Sequence, residues 1–359
     1  MRIATLAYQR HENIGALLQC YALQQTIIKY GHECEVIDYI CDAADRTFDM
    51  QSLRVKGLVK YLTSCAGVIS RLPKRKAFNA FRKKFLLTSR VVDKKNVYLM
   101  DGRYDGYIVG SDNVWNSQLT GLDPNYFLEF VSDNLRKASY AASLGLGKVP
   151  DEERSVFQKY LKNLTIITVR EKAAANDLSD LLQREVIDTC DPTLLLSSAE
   201  WDILAVKPEE NFKYILVYQM SPSVSFANFA REFAKIKKLP LIYVPFPYGI
   251  CKCHMKPHIG PREWLGYIKN ADFVITDSFH GSVFSSIYER NLIIKISKLG
   301  ERLKNLSIKL GMTDRMVNTI HKAVDLPCQN YETVRLRIAD YRDNGLKTLN
   351  TILKHFESL

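Results

Sequence analysis

Short apolar segments alternate with longer segments of helical periodicity along most of the chain. Apolar runs bounded by polar turns predict strands at 3–8, 35–39, 107–109, 137–142, 166–169, 185–187, 214–218, 241–244, 273–276 and 292–296. Helical spacing of apolar residues predicts helices at 16–30, 151–162, 170–182, 223–237, 261–269, 279–289, 300–310 and 331–359. Strands that alternate with helices in this way pair in parallel, so the pattern predicts an α/β fold with parallel sheets.

The length and the order of these elements predict two domains. A chain of 359 residues is long enough for about two domains of ordinary size. We place the boundary between residues 196 and 212, with an N-terminal domain over 1–200 and a C-terminal domain over 201–330. The segment 331–359 predicts one long amphipathic helix that packs across the two domains.

Composition excludes several other classes of protein. Hydrophobic residues make up 47% of the chain and charged residues 25%, which are ordinary globular proportions. No uncharged apolar run of about 18 residues occurs, so we expect no transmembrane helix. The segment 1–8 becomes polar too soon for a signal peptide and instead resembles a first strand, which favours a cytoplasmic protein.

The eight cysteines are scattered, as is usual for buried thiols of a cytosolic chain. One group differs, because Cys251, Cys253, His254 and His258 lie close together in the sequence. The Cys-x-Cys spacing is tighter than that of ordinary zinc sites, and no second pair of ligands lies nearby. We therefore predict no metal.

The formal charge of +11 is concentrated in one segment. Between residues 51 and 92 the chain has eleven Lys or Arg residues and no Asp or Glu. Apolar residues recur there at helical spacing, ending in Phe78, Phe81 and Phe85. A basic amphipathic insert at about 45–90 indicates helices on an anionic membrane surface or an ordinary solvated face. No nucleic-acid-reading motif accompanies the charge, so we predict no nucleic-acid partner.

The segment 271–288 predicts a strand, a tight turn and a helix. Residues 273–276 form a short apolar run typical of a buried strand, and Asp277 and Ser278 then supply helix-capping side chains. His280 is thus placed at the edge of the sheet where parallel α/β domains bind their ligands. A histidine in this place is either a capping residue or a proton carrier at a ligand site.

The start of this helix also predicts an anion site. Unpaired backbone N–H groups in the first turn of a helix attract phosphate and carboxylate groups. We expect the N–H groups of Gly281, Ser282 and Val283 to be unpaired and to face such an anion. Arg302, at the start of the helix after the last long strand, is a further candidate ligand of the same anion.

Polar residues follow the predicted strands of the N-terminal domain as well. The candidates at these strand ends are Asn13, Gly15, Asp112, Arg170 and Glu171. The turn after the first strand lacks the G-x-G-x-x-G pattern, so a dinucleotide site is not supported. His11, in the same turn, is expected to be an exposed loop residue.

Six segments, taken together and in order, resemble the polysaccharide pyruvyl transferase family over about residues 3–318. They are Asn13-x-Gly15-Ala-Leu-Leu-Gln19 with Ala22-Leu-Gln24, Tyr107-Ile-Val-Gly-Ser-Asp-Asn-Val-Trp-Asn116, Ser139-Tyr-Ala-Ala-Ser143, Thr168-Val-Arg-Glu171, Asp191-Pro-Thr-Leu-Leu-Leu196 and Ile275-Thr-Asp-Ser-Phe-His-Gly281. The resemblance implies two facing Rossmann-like domains, as in the GT-B fold. It also implies transfer of pyruvate from phosphoenolpyruvate to two sugar hydroxyls as a cyclic ketal, with release of phosphate.

The resemblance further implies the partners of such an enzyme. Phosphoenolpyruvate would be a co-substrate, and no other cofactor is expected. The acceptor would be a glycan of a bacterial-type surface polysaccharide, such as an exopolysaccharide or capsule, or its polyprenyl-diphosphate-linked precursor. The N-terminal domain would hold the acceptor and the C-terminal domain the donor. Such a protein is expected in the cytoplasm, peripheral to the inner face of the membrane.

This chemistry assigns roles to the candidate residues. His280 would carry the proton, because a histidine side chain both gives and takes protons near neutral pH. Asp112 and Glu171 would hold and deprotonate the acceptor hydroxyls. The substrate-binding candidates are Arg170, Ser278, Gly281, Ser282, Arg302, Asn13 and Gly15. Ser278 stands where many members of the family have arginine, so the donor anion would depend on Arg170, on Arg302, or on Lys295 or Lys298.

Two alternatives share these features. A GT-B glycosyltransferase with a nucleotide-sugar donor would have the same architecture. A catalytically inactive glycan-binding or membrane-binding relative would keep the fold without needing His280.

Overall fold

The structure, a computed structural model, describes residues 1–43, 58–221, 223–244, 253–295 and 301–359. These residues form two compact units. Unit 1 comprises Met1–Leu195 with Tyr341–Leu359, and unit 2 comprises Leu196–Asp340. Each unit contains a parallel sheet with helices, which confirms the predicted α/β class.

Unit 1 is built on a parallel sheet with the strand order β3-β2-β1-β4-β5. Its strands are β1 (Arg2–Leu6), β2 (Glu33–Ile40), β3 (Thr88–Asp93), β4 (Gly106–Val109), β5 (Lys137–Ser139), β6 (Thr168–Val169) and β7 (Ile187–Asp188). The β6-β7 pair continues the sheet beyond β5 through parallel bridges from Ala138 to Ile166 and from Ala142 to Val169. The order therefore reverses between β1 and β4, as in doubly wound nucleotide-binding domains.

The helices of unit 1 follow from its sequence pattern. They are α1 (Ile14–Lys29), α2 (Leu58–Phe85), α3 (Ser117–Thr120), α4 (Arg154–Leu161) and α5 (Lys172–Leu182). Asn13 begins α1, since its side chain accepts a hydrogen bond from the N–H of Ala16. The core places Trp115 parallel to Phe127, with ring centroids 5.6 Å apart, against the strands β1 and β4.

Unit 2 repeats the same strand order. Its strands are β8 (Ile215–Tyr218), β9 (Leu241–Val244), β10 (His254–Met255), β11 (Phe273–Thr276), β12 (Asn291–Lys295) and β13 (Met316–Val317), arranged as β10-β9-β8-β11-β12-β13. Its helices are α6 (Ser198–Asp202), α7 (Val224–Lys237), α8 (Pro261–Asn270), α9 (Phe279–Ile287), α10 (Glu301–Leu310) and α11 (Ile320–Val324). All pairings are parallel, and the order reverses between β8 and β11.

The last helix, α12 (Tyr331–Glu357), is long, as predicted. Residues 331–340 group with unit 2 and the rest of the helix groups with unit 1. In unit 1 the helix packs so closely that a Cβ at Gly345 would lie 2.3 Å from Sγ of Cys190. Glycine is therefore needed at this contact. Among the residues that the structure describes, no helix is long and apolar enough to cross a membrane.

Candidate active site

In both units the strand order reverses at one point of the sheet. Sheets of this type bind their ligands at such a point, outside the carboxyl ends of the strands. In unit 1 this point lies between the loop after β1 and the loop after β4. In unit 2 it lies between the loop after β8 and the loop after β11. The loop after β4 contains Asp112, and the loop after β11 leads directly to His280. The topology thus places these two candidates at corresponding positions of the two units.

Asp112 is held in an unusual backbone conformation. Its φ of 65° lies in the left-handed region, and its carbonyl accepts hydrogen bonds from the N–H groups of Val114 and Ser143. The residue is buried, and Asn113 donates a side-chain hydrogen bond to its carboxylate. A strained, buried carboxylate at the ligand-binding edge of a sheet is typical of functional sites.

Arg170 lies in a buried cluster of charged groups. Its guanidinium lies 2.6 Å from the carboxylate of Asp191, 3.6 Å from that of Glu171 and 3.7 Å from that of Asp112. None of these four side chains is more than 3% exposed. Burial alone would lower the pKa of Arg170, but Asp191, Glu171 and Asp112 more than offset this, so the pKa is raised.

Hydroxyl groups complete this cluster. Ser111 and Thr193 donate hydrogen bonds to Asp191, and Ser143 donates one to Glu171. The structure therefore brings together three residues that were predicted from two separate segments, namely Asp112 from one and Arg170 and Glu171 from the other. Arg170 has three carboxylate partners within the protein. This geometry does not support a role for Arg170 as a ligand of the donor anion, which stays a prediction.

The turn after β1 contains His11, whose exposure differs from our expectation. His11 is buried, at 5% exposure, and its ring stacks on that of Tyr8 with centroids 3.5 Å apart and an interplanar angle of 10°. The expectation of an exposed loop residue was therefore wrong. Burial lowers the pKa of His11 to about 4; Asp112 opposes this shift and Arg82 reinforces it. His11 is thus neutral at neutral pH. At the end of this turn Asn13 caps α1, and Gly15 is a buried residue of that helix.

The C-terminal part of α2 packs against this region. Nε of Arg75 lies 2.8 Å from the carboxylate of Glu12, and Arg82 is near enough to His11 to influence its pKa. Phe78 and Phe81 are buried, and the ring of Phe81 contacts that of Tyr21 edge-on at 6.1 Å. The helical spacing of these phenylalanines, taken above as a sign of a helix on a membrane surface or of an ordinary solvated face, instead serves packing within unit 1. Residues 45–57 of the predicted insert lie outside the described part of the chain.

In unit 2, strand β11 passes into α9 through a network of local hydrogen bonds. Oγ1 of Thr276 donates to the carbonyl of Tyr218 and accepts from the N–H of Ser278. The carboxylate of Asp277 accepts from the N–H groups of Met220 and Ser221, which ties the loop after β8 to that after β11. Both loops of the strand-order reversal are therefore held together by side chains from 276–277.

The first turn of α9 differs from our expectation. Ser278 is the N-cap: its hydroxyl accepts from the N–H of Gly281 at 3.3 Å, and its carbonyl accepts from the N–H of Ser282 at 3.0 Å. The prediction that the amides of Gly281 and Ser282 are unpaired was wrong. The helix begins at Phe279, so these amides point into its own first turn. Ser278 thus caps the helix.

His280 is the second residue of α9 and is 6% exposed. Its ring meets that of Phe279 edge-on, with centroids 5.2 Å apart. Nε2 of this ring is buried. This arrangement suits a proton carrier at the edge of the sheet.

The basic residues after β12 are placed in different ways. Lys295 is buried, donates to the carbonyl of Asn318 and lies over the ring of Phe229 in α7. Lys295 lies on the same face of the sheet as Ile293, which is the face covered by α7. Thr276, next to the predicted anion site, lies on the opposite face. Lys295 was therefore a poor candidate for a ligand of the donor anion. Arg302 is the second residue of α10, half-buried, and remains a candidate. Lys298 lies outside the described residues.

The described residues contain no group of three or more His, Cys, Asp or Glu side chains that could hold a metal ion. Cys251, part of the Cys-x-Cys segment considered above, lies outside the described residues.

Comparison with solved structures identifies the fold class. The chain is similar to UDP-GlcNAc 2-epimerase from Methanocaldococcus jannaschii (TM-score 0.53, 12% identity, 99% of this chain and 100% of that chain covered). It is also similar to Arabidopsis thaliana UGT89C1 complexed with UDP-L-rhamnose (0.50, 10%, 99% and 99%) and to the Candida albicans trehalose-6-phosphate phosphatase N-terminal domain (0.52, 11%, 99% and 97%). The fold is therefore of the GT-B type, as predicted.

The family follows from the sequence. A family model described as polysaccharide pyruvyl transferase matches residues 13–294. The chain belongs to the polysaccharide pyruvyl transferase family, which confirms the resemblance inferred from the six segments. This family places the protein among the transferases of polysaccharide biosynthesis. Comparison with curated proteins found no match.

Proposed function

We propose that this protein transfers pyruvate from phosphoenolpyruvate to hydroxyl groups of a sugar, as a cyclic ketal, on a surface polysaccharide or its lipid-linked precursor. One observation carries the proposal. In a member of the pyruvyl transferase family, His280 lies in the first turn of a helix at the strand-order reversal of unit 2. That is where the sheet of an α/β domain binds its ligand.

The donor step requires a proton. Phosphoenolpyruvate is an enol phosphate, and protonation of its methylene carbon by His280 makes that carbon a methyl group. The electron pair of the double bond forms the new C–H bond and leaves C2 as an oxocarbenium-like centre. Histidine is suited to this step because it gives up and regains a proton near neutral pH. Unit 2 is accordingly the donor side.

The acceptor step requires two hydroxyls. The first adds to C2 and gives its proton to Asp112 or Glu171. The bond from C2 to the phosphate oxygen then breaks, its electron pair leaves with phosphate, and C2 is again an oxocarbenium-like centre. The second hydroxyl adds to C2, loses its proton in the same way and closes the ketal; of the two protons, one replaces that given by His280 and one is taken by the departing phosphate. Asp112 and Glu171 of unit 1 are the proposed groups that hold these hydroxyls, with Asn13 and Gly15 at the start of α1. Burial and the charge of Arg170 hold both carboxylates in fixed positions, which favours accurate placement of a substrate.

The donor anion needs positive charge. Ser278 has none, and Arg170 is surrounded by carboxylates, so Arg302 at the start of α10 is the better candidate in unit 2. We propose that the reaction uses phosphoenolpyruvate as co-substrate and no metal or further cofactor. The enzyme would work in the cytoplasm, at the inner face of the membrane where lipid-linked acceptors lie.

The test is acceptor-dependent release of phosphate. The protein is incubated with phosphoenolpyruvate and a panel of p-nitrophenyl hexopyranosides, and phosphate release and the mass of the products are measured. We expect release with at least one sugar and a product that carries a pyruvyl ketal. His280→Gln should reduce the rate by about 100-fold or more, the size of a lost general acid. His321→Gln, which replaces an exposed histidine of the same unit, should have little effect.

Three outcomes would contradict the proposal. Phosphate release that does not depend on any acceptor in the panel would exclude the transfer. Full activity of His280→Gln would remove His280 from the mechanism. A rise in melting temperature with UDP or GDP, but not with phosphoenolpyruvate, would favour a nucleotide-sugar glycosyltransferase instead.

A further inference from the structure

Unit 1 contains a cleft of about 490 Å³ whose residues take no part in the proposed reaction. Clefts of this volume are large enough for a small-molecule ligand. The residues that line it come from α4 and from the end of α5, namely Ser155, Gln158, Lys159, Lys162, Leu182 and Arg184. Three of these six side chains are cationic and none is acidic. The cleft is therefore concave and positively charged, which favours an anionic ligand.

The amphipathic pattern of α4 explains why these side chains share one surface. Four of the lining residues belong to α4 or to its C-cap, at successive spacings of three, one and three residues, which places them on one side of the helix. Phe157 and Leu161 lie on the other side and are buried in the core of unit 1. The exposed side of α4 thus presents a hydroxyl, an amide and two ammonium groups to the cleft.

Arg184 lies where the ends of α4 and α5 meet. Its Nη2 donates hydrogen bonds to the carbonyls of Leu161 and Leu164. Its Nε is buried and has no hydrogen-bond partner among the described residues. Burial lowers the pKa of Arg184, but a guanidinium stays charged in proteins. An anion in the cleft would therefore offset part of the cost of burying this charge.

The three cations of the cleft have no carboxylate partner within the part of the chain that the structure describes. Arg154, at the start of α4, differs from them because it pairs with Asp177 at 2.9 Å. Nζ of Lys159 lies 5.1 Å from the centroid of the Tyr160 ring, a contact that does not neutralise its charge. Three charges without an acidic partner in one concave surface favour a ligand with more than one negative charge.

We propose that this cleft binds a phosphate monoester that also carries hydroxyl groups. A phosphate monoester has about two negative charges at neutral pH and accepts hydrogen bonds from Lys and Arg. Ser155 and Gln158 can each donate to or accept from hydroxyl groups of the same ligand. A free sugar phosphate and a lipid headgroup with a terminal phosphate share this chemistry. The proposal does not depend on the proposed pyruvyl transfer.

The position of the cleft separates it from the proposed acceptor site. Helix α4 leads into β6 and α5 leads into β7, so the helix ends that meet at Arg184 lie near the amino ends of these strands. Arg170 and Glu171 instead follow β6 at its carboxyl end. An ordinary solvated face is the competing explanation, because lysines are common on exposed helix surfaces.

Binding of a free ligand is measured by isothermal titration calorimetry with glucose 6-phosphate at constant ionic strength. The double variant Lys159→Gln with Lys162→Gln should raise Kd by about tenfold or more, because it removes two charged hydrogen-bond donors. It should keep the parental melting temperature, since neither side chain donates a hydrogen bond to a described residue. Arg184 is left unchanged because its bonds to Leu161 and Leu164 are structural.

The matched control is Lys235→Gln with Lys238→Gln. These two lysines are exposed, have the same spacing, and stand in the last turn and at the C-cap of α7, as Lys159 and Lys162 do in α4. They should leave Kd unchanged, because neither lines the cleft. Arg302→Gln should also leave Kd unchanged, since Arg302 belongs to the proposed donor site of unit 2.

Binding of a lipid headgroup is measured by co-sedimentation with vesicles. Phosphatidic acid vesicles are compared with phosphatidylserine vesicles of equal surface charge, since only phosphatidic acid has a phosphate monoester. If the headgroup is the ligand, the Lys159 and Lys162 variant loses binding to phosphatidic acid more than to phosphatidylserine. A response with either ligand supports the site, and the ligand that responds identifies the source of the phosphate.

Three outcomes would overturn the inference. The first is a parent that binds neither glucose 6-phosphate nor phosphatidic acid in preference to phosphatidylserine. The second is equal weakening by the two lysine pairs, which would assign the binding to net charge. The third is loss of glucose 6-phosphate binding in Arg302→Gln with the cleft variant unaffected, which would assign the phosphate to the donor site. None of them would contradict the proposed function, which is tested by phosphate release from phosphoenolpyruvate.

Discussion

Arg170 and Asp191 form a short ion pair in the interior of unit 1. Nη1 of Arg170 lies 2.6 Å from Oδ2 of Asp191, and the two side chains are 2% and 0% exposed. Arg170 follows strand β6 and Asp191 follows β7, while Ser111, which also donates to Asp191, follows β4. The pair thus connects loops at the carboxyl edge of the sheet and helps to position the neighbouring Asp112.

Replacing Arg170 should destabilise unit 1 strongly. Arg170→Ala leaves buried carboxylates without their cation, and we expect the free energy of unfolding to fall by about 3–5 kcal/mol. Lys172→Ala is a matched control, since Lys172 also pairs with a carboxylate, that of Asp188 at 3.1 Å, but is 59% exposed. Its loss should be less than about 1 kcal/mol. Urea unfolding followed by circular dichroism measures both; equal losses would mean that the buried cluster contributes no more than a surface pair.

Gly281 should not accept a side chain. A Cβ there would lie 2.5 Å from Oγ1 of Thr276, which is held in place by its bond to the carbonyl of Tyr218. We expect Gly281→Ala to cost about 1–3 kcal/mol by overpacking, although alanine favours a helix by about 1 kcal/mol. The check is a double-mutant cycle in thermal unfolding. Thr276→Ala removes the obstructing atom, so the double variant should lose less than the sum of the two single losses.

The order of strands and helices could be predicted from the sequence because buried parallel strands are short, continuous apolar runs. Strand β3 does not follow this rule. Its sequence, Thr88-Ser-Arg-Val-Val-Asp93, is mostly exposed at the edge of the sheet. The residue before it, Leu87, forms hydrogen bonds to the side chain of Gln24 through both its backbone N–H and its carbonyl. No local pattern in the sequence indicates this contact.

Part of the site could also be predicted, because the apolar runs show where each strand ends. Strand ends carry its polar residues, so Asp112, Glu171 and His280 could be selected from the sequence. The number of carboxylates around Arg170 could not be predicted, because Asp191 follows a different strand and no local pattern shows that it pairs with Arg170. The pKa of His11 also depends on distant residues, among them Arg82 of a helix that the sequence predicted to lie on a membrane surface or to be solvated.

The buried His11 should make stability depend on pH. Its pKa is 6.5 in the unfolded chain and about 4 in the folded one, because burial disfavours the charged ring; Asp112 opposes this effect and Arg82 adds to it. The unfolded state therefore binds more protons between these values, and stability is lost as the pH falls from 6.5 to 4, by about 3 kcal/mol in total. Urea unfolding at pH 7.5, 5.5 and 4.5 measures the loss. His11→Gln should show a shallower dependence; an unchanged slope would mean that other groups cause it.

The basic helix α2 should bind anionic membranes through exposed lysines. Lys76, Lys83 and Lys84 are exposed, whereas Phe78 and Phe81 are buried in unit 1. Attraction to lipid would therefore depend on charge and not on insertion of these rings. Replacing the three lysines by glutamine should weaken binding to phosphatidylserine vesicles by up to about 1 kcal/mol per residue. Co-sedimentation at 50 and 300 mM salt measures this, and the difference between the proteins should shrink at the higher salt because screening increases.

A charge-matched control separates this helix from the net charge of the protein. Replacing Lys172, Lys213 and Lys347 by glutamine removes the same number of exposed positive charges from elements other than α2. If the membrane contacts α2, only the first set weakens binding appreciably, because the attraction of a lysine to the surface falls off within a Debye length. Equal effects of the two sets would indicate a non-specific attraction of a basic protein. No effect of either set would show that α2 is an ordinary solvated face, and lipid-linked acceptors would then have to reach the enzyme without its help.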